Sequence, residues 1–164
     1  RRQRQMCIRD SYKIKKNGQA TKLSTVETMA AVRLQKYKGN LKKAFNWSAS
    51  LQYRGTVNVS KKTPTGYGLY GFKTSGGDCY VMASTFYWMA KVAGYDAHYV
   101  KGYFQKSGGR KGAHAWVEID QKVGGKTKTY VYDPNFQQEY ELNGYKLTYG
   151  AKKTLKYVNY KRVN

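Results

Sequence analysis

Apolar positions along the chain follow a helical spacing in three segments. The first pattern begins after Ser24, and Glu27, three residues on, has the spacing of a capping box. A second helix is predicted over residues 41–51. A third is predicted over residues 79–93, where apolar residues surround the whole circumference and Gly94 follows as a left-handed cap. A helix that is apolar on all sides is expected at the centre of a core.

After the third helix the pattern changes to the alternation of β-strands. The predicted strands are residues 96–104, 112–120, 128–133 and 145–149, with a further one near 155–160. Before that helix, we expect a short strand over residues 53–59. We expect a long loop over residues 60–78, because this segment holds five glycines and one of the two prolines. The order predicts an α+β domain, with N-terminal helices and a central helix packed on an antiparallel sheet.

The length of 164 residues suits a single domain with a sizeable core, and the hydrophobic content of 40% is that of a globular protein. Residues 1–22 are basic, polar and aperiodic, so we expect a basic N-terminal arm followed by a single domain over residues 23–164. No apolar run reaches the roughly 18 to 20 residues that a transmembrane helix needs, so no membrane span is predicted.

The net charge of +22 is concentrated towards the two ends of the chain. Residues 1–62 carry +14 and residues 122–164 carry +6, whereas residues 63–121 carry only +2. Basic flanks favour anionic partners such as the polymers of a bacterial cell wall, although a lysine-rich surface can also serve solubility alone. A nucleic-acid partner is not favoured, because no recognised motif accompanies the charge and the 17 tyrosines are spread through the predicted strands.

Cys79 is the first candidate for chemistry. Asp78 is a suitable N-cap residue, which would place Cys79 in the first turn of its helix, where a thiolate is favoured and free backbone N–H groups could hold an oxyanion. Gly76 and Gly77 before it would let a substrate approach closely. The alternative for an isolated helix cysteine is a small buried apolar side chain. The other cysteine, Cys7, lies in the basic arm and predicts no disulfide framework.

His114 and Asp133 are the candidates for a base and for the group that orients it. They lie in neighbouring predicted strands joined by a glycine-containing hairpin. With the turn centred between Val123 and Gly124, His114 lies directly opposite Asp133, within reach of a hydrogen bond. Cysteine, histidine and aspartate so placed form a nucleophilic triad. Taken singly, each could be structural, His114 in a core and Asp133 in a turn before Pro134.

Three sequence blocks carry a resemblance to a known family, namely GGDCYVMAS around Cys79, GAHAW around His114 and YVYDP around Asp133. Their order, and their spacing of 35 and then 19 residues, resemble the core of transglutaminase-like domains over roughly residues 65–140. The resemblance implies a papain-like fold. It also implies that these three residues are the catalytic triad.

The activity implied by the resemblance is acyl transfer from a carboxamide or peptide bond through a thioester, with no cofactor. Protein-crosslinking members carry Gln and Trp beside the cysteine, where this chain has Asp78 and Tyr80. We therefore expect hydrolysis of a peptide or protein substrate somewhat more than crosslinking. The family also uses an upstream side chain as an oxyanion donor, a role that Tyr67 or Tyr70 could fill.

Two further residues and one rival function complete the expectations. Trp116 shares the face of His114 and could either wall the site or simply pack in the core. His98 has no acidic or cysteine partner at a telling spacing and is expected to be structural, and no arrangement of His and Cys predicts a metal site. The rival function is a non-catalytic module that binds an anionic cell-wall polymer through the basic flanks. The charge and the resemblance together favour an extracellular bacterial protein.

Overall fold

The computed structural model describes residues 12–14 and 20–164 of the chain. The helices in this part are α1 (Thr25–Lys36), α2 (Leu41–Ala49), α3 (Pro64–Thr74), α4 (Cys79–Val92) and α5 (Pro134–Tyr140). The strands are β1 (Tyr12–Ile14), β2 (Ala20–Lys22), β3 (Gln52–Tyr53), β4 (Gly76–Gly77), β5 (Asp96–Gln105), β6 (Lys111–Val123), β7 (Lys126–Tyr132) and β8 (Tyr157–Arg162). These elements confirm the predicted α+β class. No helix among the described residues is long and apolar enough to cross a membrane.

The predicted basic arm, residues 1–22, falls mostly outside the described residues, and Cys7 lies outside them too. The two described pieces of the arm, β1 and β2, pair as a short antiparallel ladder in which Ile14 is opposite Ala20. The aperiodic sequence did not predict this pairing. The division of the chain into an arm and one domain over residues 23–164 stays a prediction.

Local capping explains where the predicted helices begin. Ser24 and Glu27 form the expected capping box at the start of α1, with Ser24 Oγ donating to the Glu27 carboxylate at 2.9 Å. At the start of α2, Asn40 Oδ1 accepts the Lys43 N–H at 3.0 Å. The central helix α4 contacts α1, α2 and α3 as well as β5 and β6, as its apolar circumference predicted.

The segment between α2 and α4 differs from the prediction. Only β3 forms where a strand over residues 53–59 was expected, and α3 occupies most of the expected loop over residues 60–78. Thr63 Oγ1 accepts the Gly66 N–H at 3.2 Å as an N-cap. Pro64 takes the first helical position, where no backbone N–H is needed. Thr63 and Pro64 are therefore clear signals for the start of a helix. The sequence was interpreted as a loop because glycines are frequent in this segment.

The glycines of α3 serve close packing against neighbouring elements. A Cβ at Gly68 would lie 2.7 Å from Trp88 Cδ1 on α4. A Cβ at Gly71 would lie 2.5 Å from Thr85 Cγ2, also on α4. Both distances are shorter than any normal contact between carbon atoms. Glycine at these positions lets α3 lie against α4 with no side chain between them.

The main sheet has the strand order β7-β6-β5-β8 and is antiparallel. Strands β5, β6 and β7 form the predicted meander, and β8 pairs with the free edge of β5. The strand expected over residues 145–149 is wrong, because Leu147 only bridges to Val131. Helix α5 was not predicted. It begins where Asp133 caps it and Pro134 takes its first position.

We expect Gly71→Ala to lower the free energy of unfolding by about 1–3 kcal/mol, because the added methyl group overpacks the contact between α3 and α4. Helix propensity alone would favour alanine by roughly 1 kcal/mol, so the sign of the change separates the two effects. Urea denaturation followed by circular dichroism provides the measurement. Thr65→Ala, at an exposed position of α3, is the matched control. A Gly71→Ala protein as stable as the parent would contradict the packing role.

Candidate active site

Cys79 is the first residue of α4 and is partly exposed. The Asp78 Oδ1 atom accepts the N–H groups of Tyr80 and Val81 at 3.0 and 3.1 Å, which fixes the start of the helix. Among the described residues, no acceptor is found for the N–H of Cys79 itself. That N–H can therefore donate to the carbonyl oxygen of a substrate, which becomes an oxyanion when the sulfur attacks the carbonyl carbon.

Gly77, one of the two glycines predicted to allow close substrate approach, has a packing role. A Cβ at Gly77 would lie 2.3 Å from Val81 Cβ in the first turn of α4. Its carbonyl accepts the Arg54 N–H at 3.0 Å, and Tyr53 lies opposite it in the parallel pair of β3 and β4. Glycine here lets the backbone meet the helix start closely, and this contact sets the position of Cys79.

His114 and Asp133 form a buried hydrogen-bonded pair. The distance between His114 Nε2 and Asp133 Oδ2 is 2.7 Å, and the two side chains are 3% and 0% exposed. The Cys79 side chain is close enough to His114 to raise the pKa of the imidazole. Because Nε2 is engaged by the carboxylate, Nδ1 is the ring nitrogen available to the thiol. The structure thus brings the three residues predicted as a triad into one cluster.

The strand register that joins His114 to Asp133 differs from the predicted one. The turn between β6 and β7 consists of Gly124 and Gly125, with positive φ angles of 58° and 80°. It lies one residue later than predicted, so the direct opposition of His114 and Asp133 is wrong. The resulting shift of two positions keeps both residues on one face, and they meet on the diagonal.

The charge state of His114 depends on competing effects. Burial lowers the pKa of His114, but the Asp133 carboxylate, its hydrogen bond and the Cys79 side chain together raise it well above the usual 6.5. The ring therefore carries its proton at neutral pH. An imidazolium is the charge partner that a thiolate nucleophile needs.

The Asp133 carboxylate accepts three hydrogen bonds although it is fully buried. Its Oδ1 atom accepts the Phe136 N–H at 3.0 Å and so caps α5. Its Oδ2 atom accepts from both His114 Nε2 and Tyr157 Oη, each at 2.7 Å. Burial, and after it the Asp133 charge, raise the pKa of Tyr157, which keeps the phenol protonated and able to donate. Sequence reasoning missed Tyr157, because one tyrosine among 17 carries no local signal.

Aromatic rings surround the His114 imidazole. The ring centroids of Phe104, Trp116 and Tyr157 lie 5.4, 5.9 and 6.4 Å from that of His114. Trp116 is fully buried, and its Nε1–H donates to Tyr149 Oη at 2.8 Å. Trp116 therefore packs behind the histidine, and the rings together keep water away from the His114–Asp133 bond.

The predicted oxyanion donors, Tyr67 and Tyr70, both lie on α3. Tyr67 is buried and stacks on the Tyr80 ring with centroids 5.5 Å apart. Burial, and after it the charges of Asp78 and Cys79, raise the pKa of Tyr67. Tyr70 instead accepts a hydrogen bond from Arg54 Nη1 at 3.5 Å. Of the two, Tyr67 lies in the electrostatic field of the site.

Tyr53 on β3 is a further aromatic residue beside the thiol. Burial, and after it the charge of Cys79, raise the pKa of Tyr53, although its side chain is 58% exposed. Its position opposite Gly77 explains the proximity. The sequence placed Tyr53 in a strand but offered no reason to connect it with Cys79, because the pairing of β3 with β4 is not visible in the pattern.

His98 does have acidic partners, so the expectation of none is wrong. His98 Nε2 lies 3.0 Å from Asp96 Oδ1 and 3.7 Å from Asp120 Oδ2. One ligand atom from each of these three residues lies within 4.8 Å of the others, which makes them the candidate metal ligands of the described part. Arg162 Nη2 already binds Asp120 at 2.7 Å. The cluster has a cation of its own, as expected of an ion-pair network on the sheet.

Comparison with known families gives a match that includes two of the three clustered residues. A family model described as the transglutaminase-like superfamily matches residues 24–125, which is more than half of the chain and contains Cys79 and His114. The chain belongs to the transglutaminase-like superfamily. Asp133 follows the end of the match, so its place in this transglutaminase-like site depends on the hydrogen bond to His114.

Comparison with solved structures supports the fold. A protein from Cytophaga hutchinsonii, named as a proposed cysteine protease, matches with a TM-score of 0.54 and 14% identity, over 83% of this chain and 42% of that one. At this identity the likeness shows the fold alone, and this chain spans less than half the length of that protein. Comparison with curated proteins gives no match. The papain-like arrangement expected of a transglutaminase-like domain is therefore confirmed at the level of fold.

We expect Asp133→Asn to lower the pKa of His114 from above to below 6.5 in a Cys79→Ala background, because burial then acts without the opposing charges. NMR titration of the histidine ring protons measures the change. The ring-proton signals of His98 provide a control for the fold and should have the same chemical shifts in both proteins at neutral pH. Equal His114 titration with and without the carboxylate would contradict the assigned pairing.

The raised pKa of His114 determines how the free energy of unfolding depends on pH. The pKa of His114 is higher in the folded chain than in the unfolded chain, so the pair stabilises fully below about pH 6.5. Its contribution is lost as the pH rises through the folded-state value. The free energy of unfolding of the Cys79→Ala protein should therefore fall as the pH rises from about 6.5 through the folded-state pKa of His114. Asp133→Asn should remove this fall.

Proposed function

We propose that this protein is a cysteine amidase or peptidase that cleaves a carboxamide or peptide bond through a thioester on Cys79. The observation that carries the proposal is the position of His114 between the Cys79 side chain and the buried Asp133 carboxylate. A nucleophile, a proton carrier and an orienting group are then within reach of one another. Membership of the transglutaminase-like superfamily supports the same class of chemistry.

The first step forms the thioester. The Cys79 sulfur attacks the carbonyl carbon, and the C=O electron pair moves to the oxygen, which the Cys79 N–H can hold. The oxyanion then collapses and the C–N bond breaks. The His114 imidazolium gives its proton to the departing amine. Asp133 keeps the ring oriented, and the phenol of Tyr157 helps to keep Asp133 in place.

The second step transfers the acyl group. Neutral His114 takes a proton from water as the water oxygen bonds to the carbonyl carbon, and the C–S bond breaks. The products are a carboxylic acid and the starting pair of thiolate and imidazolium. A lysine amine in place of water would give an isopeptide bond instead. We favour water, because Asp78 and Tyr80 flank the cysteine where crosslinking members carry Gln and Trp.

A second candidate function is the binding of an anionic polymer, for which the net charge of +22 is the specific observation. The two functions are compatible, since basic flanks could hold the protein on a bacterial cell wall while the centre reacts. An extracellular location belongs to this proposal and has the same support. Cys79→Ala should leave such binding intact and abolish the chemistry.

The nucleophile is tested by alkylation in a Cys7→Ser background, in which Cys79 is the remaining cysteine. Iodoacetamide should label Cys79 rapidly at pH 7, and His114→Ala should slow labelling roughly tenfold or more, because an unassisted thiol is only a few per cent ionised there. His98→Ala removes the other histidine and is the matched control. Labelling as slow in the parent as in His114→Ala would contradict the proposal.

The acceptor is tested by mass spectrometry of peptides and peptidoglycan fragments incubated with the wild type and with Cys79→Ala. Cleaved or deamidated products that require Cys79 support hydrolysis. Products joined to an added amine would show that crosslinking is the preferred reaction. Identical product patterns from both proteins would contradict a reaction at Cys79.

A further inference from the structure

A groove lies beside the start of α4, on the sheet face that this helix covers. It has a volume of about 310 Å³, and its lining includes Tyr80, Lys101, Tyr103, Ala113, Tyr160 and Lys161. Tyr80 directly follows Cys79 at the start of α4, whereas Ala113 and His114 point to opposite faces of β6. A molecule in the groove would therefore lie close to Cys79.

Two lysines in this groove face each other without compensation. Lys101 on β5 and Lys161 on β8 are direct partners in the antiparallel pair, a position in which like charges destabilise a sheet. Among the ion pairs of the described residues, none involves either lysine. Asp78, the carboxylate that adjoins Cys79, is turned onto backbone N–H groups of α4. The groove thus presents two cations with no anion of its own.

The neighbouring cation on β8 shows a different arrangement. Arg162 binds Glu118 at 2.8 Å and Asp120 at 2.7 Å, so its charge is balanced within the fold. Arg162 therefore serves a structural role through ion pairs with β6. Lys161, one residue away, has no ion-pair partner among the described residues.

The remaining walls of the groove suit a peptide. Lys101 Nζ lies 5.4 Å from the Tyr80 ring centroid, a cation–π contact that holds the ammonium at the groove wall. Tyr103 is 44% exposed and offers an apolar ring face, whereas the Tyr160 ring stacks on Tyr149 with centroids 4.9 Å apart. A Cβ at Gly102 would lie 2.4 Å from Tyr160 Cβ, so glycine lets β8 approach β5 closely here. Aromatic faces beside a pair of cations can hold a chain that carries a carboxylate.

We propose that this groove binds the peptide substrate beside the reactive bond, and that Lys101 and Lys161 select a substrate with an acidic side chain there. The inference rests on the proposed function and names the substrate class of the same site. An acidic peptide is favoured over a nucleic acid because the groove is short, with a volume of about 310 Å³, and Lys101 and Lys161 are the only cations in its lining.

Binding is measured with the Cys79→Ala protein, so that no probe is consumed. The probes are two short fluorescein-labelled peptides with a central Gln, one flanked by Glu and the other by Gln, and fluorescence anisotropy gives each Kd. The acidic peptide should bind more tightly. Lys101→Met with Lys161→Met should weaken its binding roughly fivefold and leave the neutral peptide unchanged.

The matched control is Lys126→Met with Lys128→Met on β7, at the opposite edge of the sheet from β8. It removes the same net charge and should preserve the preference for the acidic peptide. Equal losses in both double variants would overturn the proposal, since general attraction would then explain the binding. A single-stranded oligonucleotide that loses affinity through the groove lysines, while the acidic peptide does not, would also overturn it.

The exposed Lys161 also provides a milder variant. Lys161→Met relieves the repulsion between the two facing lysines, so it should melt no lower than the parent, and it should lose part of the acidic preference. An unchanged preference in a folded Lys161→Met protein would contradict the role of this lysine.

Activity separates this inference from the proposed function. If the wild type turns over both peptides with equal kcat/KM, the reaction stands and the carboxylate selection is overturned. If it turns over neither peptide while the lysine-dependent binding persists, the carboxylate site stands and the proposed reaction is overturned.

Discussion

One buried carboxylate holds together the elements that carry the site. Asp133 directly follows β7, caps α5 through one oxygen, and accepts through the other from His114 on β6 and Tyr157 on β8. A buried charge is tolerated only when it is paired, and removal of one partner of a buried ion pair typically costs about 3–5 kcal/mol. The sheet and α5 must therefore converge on this carboxylate. The imidazole is fixed beside Cys79 as a consequence.

Features with local signals could be predicted from the sequence. The N-cap at Asp78 and the apolar run after it placed Cys79 at the start of the central helix, and alternation placed His114 in a strand. Features that depend on packing could not. Gly71 was interpreted as a loop residue, because the reason for a glycine there is its close contact with Thr85 on α4. That contact exists only in the folded structure and leaves no local signal in the sequence. The partnership of Tyr157 with the triad likewise exists only once β8 has paired with β5.

The hairpin register lies between these cases. Two adjacent glycines fix a tight turn, but several neighbouring positions of that turn fit the sequence equally well. The observed turn moves the pairing by two residues, and the period of two in a strand keeps His114 and Asp133 on one face. The prediction that they meet survived an error in register for this reason. The pairing of individual charges could not be predicted from the sequence. Only the strand pairing shows that Arg162 binds Glu118, whereas Lys161 lies opposite Lys101.

The most direct test of a thioester at Cys79 is an intact-mass measurement of the Cys7→Ser protein during reaction with a peptide nitrophenyl ester. Such an ester acylates a nucleophilic thiolate and releases a coloured product as the adduct forms. We expect the mass of one acyl group, located on Cys79, removed by hydroxylamine and absent from Cys79→Ala. An adduct that forms equally in Cys79→Ala, or ester consumption that is equally fast in Cys79→Ala, would contradict the mechanism.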